Sequence, residues 1–197
     1  MTLVFRRLTP SLMDDFGAVL RGSWGAGCWC MYPRLGNAEA QGMGSQRRRA
    51  AMSKLACRRR APGLLAFEGD QAVGWIAVAP RTEYRRIENS RATPRVDEEE
   101  VWVIPCVTVR PSARGRGIAI ALIRAAVAFA KKHGAPAVEA YPRAGSARTG
   151  DDNAFFGTEP MFRRAGFKVI RKPRHLPGNR VARATMRKRS LNLEVDK

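Results

Sequence analysis

Val101-Trp102-Val103-Ile104-Pro105-Cys106-Val107-Thr108-Val109-Arg110-Pro111-Ser112-Ala113-Arg114-Gly115-Arg116-Gly117-Ile118-Ala119 reads as a buried strand, a glycine-rich turn and the start of a helix. Residues 101–109 are mostly β-branched or apolar, the composition of a strand covered on both faces. Pro105 interrupts that run. It has no N–H to donate to a ladder, so a bulge or a local break in pairing is expected there. Gly115 and Gly117 carry no side chain and let a ligand approach the backbone. From Ala119 onward, Ala119, Leu122, Ile123, Ala126, Val127 and Ala130 fall on one stripe at spacings of three and four. Lys131, Lys132 and His133 suit the last turn, and Gly134 is a good stop. A strand-to-helix junction of this kind aims free backbone N–H groups and the positive end of a helix dipole at one spot, which favours a phosphate.

Three phosphate-binding patterns compete for that junction. The Walker loop requires Gly-Lys-Ser/Thr at the helix start, and none is present. The dinucleotide fingerprint requires a third glycine, where Ile120 stands, and an acidic residue on the next strand, for which Glu139 lies at a suitable distance. That reading is weakened but stays open. The third pattern, Gln/Arg-x-x-Gly-x-Gly/Ala after a β-strand, is met in every position by Arg114-x-x-Gly117-x-Ala119.

The third pattern is the acetyl-CoA signature of the GNAT acetyltransferase superfamily, and the chain resembles that superfamily beyond it. Leu64–Phe67, Gly69-Asp70 and Ala72–Val78 look like its central hairpin. Met161-Phe162-Arg163-Arg164-Ala165-Gly166-Phe167 looks like its later helix-turn-strand, and the order and spacing agree over roughly residues 3–187. More narrowly, Cys28-Trp29-Cys30-Met31-Tyr32-Pro33-Arg34 and Val78-Ala79-Pro80-Arg81 look like a bacterial subgroup of it. Alternating strands and helices already give an α/β class around one mixed sheet. The resemblance implies a mostly antiparallel central sheet of six to seven strands, flanked by about four helices and splayed between the fourth and fifth strands.

It also implies roles. The backbone of Val107, Thr108 and Val109 would pair with the pantetheine arm as if it were another strand, and a bulge at Pro105 would expose that edge. Arg114, Gly115, Arg116, Gly117, Ile118 and Ala119 would hold the pyrophosphate, with the two arginines as charge partners. Proton removal from the amine requires a base, acting directly or through water. Glu100, preceded by Asp97, Glu98 and Glu99, is the first candidate, because neighbouring like charges raise a carboxylate pKa. Glu139 is the second. Many members place a tyrosine four residues before the glycine of Gly-Phe as the acid for the departing thiolate. Phe162 stands there, which leaves Tyr141 or a water. Phe155 stands where a helix asparagine is usual, and Asn153, two residues early, is a further cofactor candidate. Trp24, Trp29, Met31 and Tyr32 lie in the connection that lines the acceptor side in the resembled fold; capping the core is the plainer reading of the same residues. Cys106 adjoins the expected thioester position, but buried cysteine is commonly a small apolar residue. No paired Cys or His spacing suggests a metal.

Length and composition set the outer bounds. The 197 residues suit one domain over 1–189, with a frayed tail at 190–197. No run approaches the roughly 18 apolar residues of a membrane span. The start, Met1-Thr2-Leu3-Val4-Phe5-Arg6-Arg7, lacks a signal-peptide layout, so reduced thiols in the cytoplasm are expected for Cys28, Cys30, Cys57 and Cys106. The net charge of +19 concentrates anions and repels polycations. It suits coenzyme A, disfavours a polycationic acceptor, and fits an acid-flanked amine on a protein or an amine on a small anionic metabolite.

Arg47-Arg48-Arg49 and Arg58-Arg59-Arg60 lie eleven residues apart, about three helical turns, so on one helix they would share a face. That face motivates a rival reading: a GNAT-like binding module for nucleic acid or an acidic protein, with catalysis weak or lost. Sparse aromatics argue against recognition of single strands. A coarse pass predicts strands at 3–8, 64–68, 72–79, 101–109, 137–141, 167–171 and 181–187. Helices are predicted near 10–21, 45–59, 116–133 and 155–165. The leading expectation is an acetyl-CoA-dependent N-acetyltransferase with direct transfer to a primary amine.

Overall fold

The computed structural model describes residues 2–21, 27–143, 155–173 and 183–189. Seven strands form one sheet in the order β1-β2-β3-β4-β5-β7-β6. They are β1 (Leu3–Arg7), β2 (Gly63–Glu68), β3 (Gln71–Pro80), β4 (Trp102–Val109), β5 (Ala137–Ala140), β6 (Lys168–Arg171) and β7 (Thr185–Arg189). Every neighbouring pair is antiparallel except β4 and β5. These two are joined by α5 (Ile118–Lys132), because parallel neighbours need a long crossover. The predicted 181–187 strand shifts to Thr185–Arg189, and residues 181 and 182 lie outside the described residues.

Helices cover both faces. On one face, α5 buries Ile118, Leu122, Ile123, Ala126, Val127 and Ala130. Its stripe therefore starts at Ile118, and Ala119 is only partly buried. Gly74 of β3 permits the close approach: a Cβ there would come 2.8 Å from Leu122 Cδ1. α6 (Glu159–Arg164) lies on the same side, with Phe162 in the shared core. The opposite face carries α1 (Met13–Leu20), α2 (Asn37–Gly42) and α3 (Ser45–Ala56). Here Phe16 packs on Trp75 with ring centroids 4.3 Å apart. The same face continues past Ala79 and Val103 to Tyr84, Ile87 and Tyr141.

Several expected elements are shorter. Pro10–Leu12 forms a 3-10 turn before α1, since Pro10 fixes the first turn but supplies no N–H. The helix expected to run to residue 59 stops at Ala56. Arg58, Arg59 and Arg60 therefore lie beyond it, and the two arginine triplets do not form one helical face. The connection after β3 is not structureless: a 3-10 turn at Arg81–Glu83 leads into α4 (Arg85–Glu88). With α2 and α4, there are six helices among the described residues. None of them is long and apolar enough to cross a membrane.

Candidate active site

β4 pairs with β5 only at Trp102↔Val138, Val103↔Glu139 and Ile104↔Ala140. Along β3 it continues to Val109. From Pro105 to Val109, the edge of β4 that faces β5 thus has no strand partner among the described residues. Pro105 sits where the two strands part. On the β3 side the register slips between Ala77 and Ala79, so Ile104 and Pro105 together oppose Val78. A proline at a bulge removes one donor and bends its strand away from its neighbour, and the sheet opens there. Val107 faces the α5 side with Phe162, whereas Cys106 joins the core of the opposite face.

The open edge leads to the glycine-rich turn. Pro111–Ala113 forms a 3-10 turn. Gly115 and Gly117 then both take φ +78°, and a Cβ at either would meet nothing within 4 Å. Gly117 caps α5 in the left-handed region, which glycine adopts without strain. The cradle is therefore bare backbone before a fifteen-residue helix, whose first N–H groups have no intrahelical partner. Ile118 is buried and anchors the helix, so only its backbone is available to a ligand, with that of Ala119. Arg114 folds back, its Nε donating to Val109 O at 3.2 Å. Arg116 bridges to Glu68 at 3.0 and 2.5 Å. Asn153 lies outside the described residues.

The sequence profile of the Acetyltransferase (GNAT) family matches residues 30–149. The chain belongs to the GNAT acetyltransferase family. Solved structures share its fold at low identity. The PaiA N-acetyltransferase of Thermoplasma acidophilum, in complex with coenzyme A, is 16% identical with TM-score 0.56, covering 96% of this chain and 99% of its own. An N-acetyltransferase from Staphylococcus aureus Mu50 is 14% identical with TM-score 0.58, covering 97% and 100%. The ribosomal-protein-alanine N-acetyltransferase of Brucella melitensis is 19% identical with TM-score 0.57, covering 94% and 99%. No curated protein sequence matches the chain.

Within this GNAT frame, Glu100 stands apart from the opening. Its side chain is 75% exposed and its nearest cation is Arg95 Nη1 at 3.9 Å. It stands five positions before Pro105, roughly 16 Å of extended chain. The acidic run before it is not a self-repelling cluster, because Arg187 and Arg189 draw Asp97 and Glu99 into ion pairs.

Glu139 and Tyr141 sit closer, in a buried polar network. Arg187 Nε and Nη2 donate to Glu139 Oε1 at 2.9 and 2.6 Å. The Tyr141 hydroxyl donates to Oε2 at 2.6 Å, and Arg81 Nη1 lies 3.7 Å from the same oxygen. Arg81 Nη1 also donates to Tyr141 Oη. The Glu139 side chain is 2% exposed, and both its oxygens accept hydrogen bonds within this network. Burial, followed by the nearby Glu139 charge, pushes the Tyr141 phenol well above its ordinary pKa, so it keeps its proton. Arg81 further donates to Glu88 Oε2 at 2.9 Å and to Thr93 O at 2.7 Å. It thereby pins the connection between β3 and β4 over this end of the sheet.

On the proposed acceptor side, Trp24 lies outside the described residues. Trp29 packs edge-on to Phe16 at 5.6 Å and donates from Nε1 to Ser45 Oγ at 3.0 Å, tying the loop to α1 and α3. Met31 is buried in that core. Tyr32 is 41% exposed, with the Arg86 guanidinium 3.8 Å over its ring. Trp29 and Cys30 hold φ of 49° and 50°, a left-handed turn that non-glycine residues adopt at a cost. This turn brings Cys30 into the cluster containing Cys106, and Trp75 Nε1 donates to its sulfur at 3.1 Å. The hydrogen bond with Cys106, then burial, pushes the Cys30 thiol well up, against a role as thiolate. All four cysteines are free. No group of three or more His, Cys, Asp or Glu able to hold a metal occurs among the described residues.

The residues not foreseen from sequence are arginines: Arg187 in the buried network, and Arg143 and Arg183 beyond the end of β5; Arg81 was legible only as part of the Val78–Arg81 motif. Strand alternation was the available signal. It puts residues 139, 141 and 143 on one face, but their partners lie on β7 and in the connection after β3, far away in the chain.

Proposed function

We propose that the chain is an acetyl-CoA-dependent N-acetyltransferase that moves the acetyl group to a primary amine by direct transfer in a ternary complex. One observation carries this reading: β4 leaves β5 at Pro105, and the exposed edge runs to the bare cradle at Gly117. An extended amide-bearing arm fits that edge through Val107, Thr108 and Val109, and a pyrophosphate fits the helix N-terminus beyond. Arg114 and Arg116 supply positive charge beside it. Residues 1–189 act as one catalytic domain in the cytoplasm.

In the transfer, the amine nitrogen bonds to the thioester carbonyl carbon, the C–S bond breaks, and the sulfur leaves as a thiolate that takes up a proton. Tyr141 follows directly after the last β4–β5 pair, retains its proton and is our candidate donor to that thiolate. Glu139 acts as a positioning residue that holds the Tyr141 hydroxyl. The exposed Glu100 is the weaker base candidate, and the acceptor amine gives its proton to water. Trp29, Met31 and Tyr32 support the acceptor side.

Calorimetric titration with acetyl-CoA tests the reading, and micromolar binding is expected. A folded sample that shows no binding at millimolar cofactor would rule it out. Release of free thiol across a panel of amines then identifies the acceptor.

A further inference from the structure

Arg143 lies three residues beyond Ala140, the last residue of β5 paired with β4, about 10 Å further along an extended chain. Its backbone remains sheet-like. It bridges to Thr158 on one side and to Arg183 on the other, and its N–H donates to Gly157 O at 3.3 Å. Alternation gives Arg143 the face of Glu139 and Tyr141, and gives Arg183 the face of Arg187. This is the face opposite α5, so both guanidinium groups lie across the sheet from the helix whose N-terminus forms the phosphate cradle.

The two arginines are cross-strand partners, an arrangement that is unfavourable for like charges. The buried guanidinium groups of this face are neutralised: Arg34 by Glu83, Arg81 by Glu88 and Glu139, Arg187 by Asp97, Glu99 and Glu139. Arg143 has no carboxylate within 4 Å among the described residues, and its Nη1 is buried without a hydrogen-bond partner. Buried polar groups are nearly always satisfied, so an orphaned charged donor points to a ligand. Arg183 is held in place: its Nη1 donates to Tyr141 O at 3.2 Å and its guanidinium lies 3.5 Å over the Phe156 ring. Burial, then the charge of Arg143, lowers the Arg183 pKa to about 10, consistent with two cations confined together.

We infer that Arg143 and Arg183 form an oxyanion-binding subsite beside the opening of the sheet, and that the acceptor is an amine that also carries a carboxylate or phosphate. This rests on the acetyl-transfer reading. The subsite would grip the anionic group of the acceptor with charge-assisted hydrogen bonds and leave its amine facing the thioester.

The probes are inorganic phosphate and acetate, titrated calorimetrically into the protein with and without saturating coenzyme A. Coenzyme A fills the cradle, so binding that survives it reports the new subsite, while the cofactor's own binding reports the donor site independently. Saturable millimolar binding of at least one probe is expected in the presence of coenzyme A, weakened at least about tenfold in Arg143→Met and in Arg183→Met, with coenzyme A affinity unchanged. Thiol release from acetyl-CoA with butylamine against 4-aminobutanoate as acceptor, and with ethanolamine against phosphoethanolamine, separates carboxylate from phosphate. One anionic member should exceed its neutral partner, and the two variants should erase that preference. Absence of probe binding, equal binding by both variants, or loss of coenzyme A affinity in them would each overturn the assignment.

Discussion

Arg187 of β7 places Nη2 2.6 Å from Oε1 of Glu139 on the adjacent β5, with both side chains buried. The pair is the centre of the network that fastens the connection after β3 to the far half of the sheet. Removing one partner of a buried ion pair leaves an uncompensated charge. Arg187→Met should therefore destabilise the protein by about 3–5 kcal/mol, read as a shift in the denaturant midpoint. A double variant with Glu139→Gln should recover part of that loss.

Tyr141→Phe removes a hydroxyl that both donates to Glu139 and accepts from Arg81. A stability loss of about 1–3 kcal/mol is expected. If Tyr141 also protonates the leaving thiolate, kcat should fall at least about tenfold with the KM for acetyl-CoA unchanged. Unfolding curves and steady-state kinetics on the same samples separate the two effects.

Gly117→Val puts a branched side chain into the cradle at φ +78°. Backbone strain of about 1–3 kcal/mol is expected, together with loss of calorimetrically detectable acetyl-CoA binding. A variant that folds and binds the cofactor normally would move the phosphate site elsewhere.

Acid should loosen the connection after β3. The hydrogen bond from Arg187 holds Asp97 below its ordinary pKa. At Glu88, burial acts upward but is outweighed by Arg95 and Arg81, so its pKa is also lowered. A lowered carboxylate pKa gives stability that is complete above the unfolded value of about 4 and is lost as pH falls through the folded one. Stability should be insensitive to these groups near neutrality and decline below about pH 4, with proteolysis between residues 81 and 99 appearing first.

With Glu139 held in the buried network and Glu100 two residues before β4, the proposed transfer calls for an amine that arrives neutral. The logarithm of kcat/KM for the acceptor should then rise with unit slope from about pH 6 to the amine's own pKa. A plateau near neutrality would reveal a base in the enzyme.

The parting of β4 from β5 and the bare glycine turn, on which the proposed donor site rests, were legible because their determinants are local. Pro105, Gly115 and Gly117 act through their own backbones within thirteen residues, and the sheet opens where the proline predicts. The rest of the site depends on strand order. β7 inserts between β5 and β6, so Glu139 meets Arg187 across 48 residues of sequence, a pairing that no periodicity encodes. The same distance in sequence hides the partners of the acidic run before Glu100, where Arg187 and Arg189 pair with Asp97 and Glu99. The second arginine triplet failed locally: α3 ends at Ala56, with Cys57 as its C-terminal cap, and helical spacing alone does not reveal that stop.

The parting of β4 from β5 also bears on self-association. An unpaired strand edge is a template on which other chains add and fibres grow. Here that edge faces inward, toward the chain that continues from β5 to Arg143, and Pro105 withholds a donor at its apex. A foreign strand cannot approach it sideways as it could an outer rim. The true rims are β1, with exposed Arg6 and Arg7, and β6, with exposed Lys168, charges that repel a second copy. Val4 on β1 and Ile170 on β6 are also exposed, so charge is what opposes pairing at the two outer edges, while the inner edge stays open.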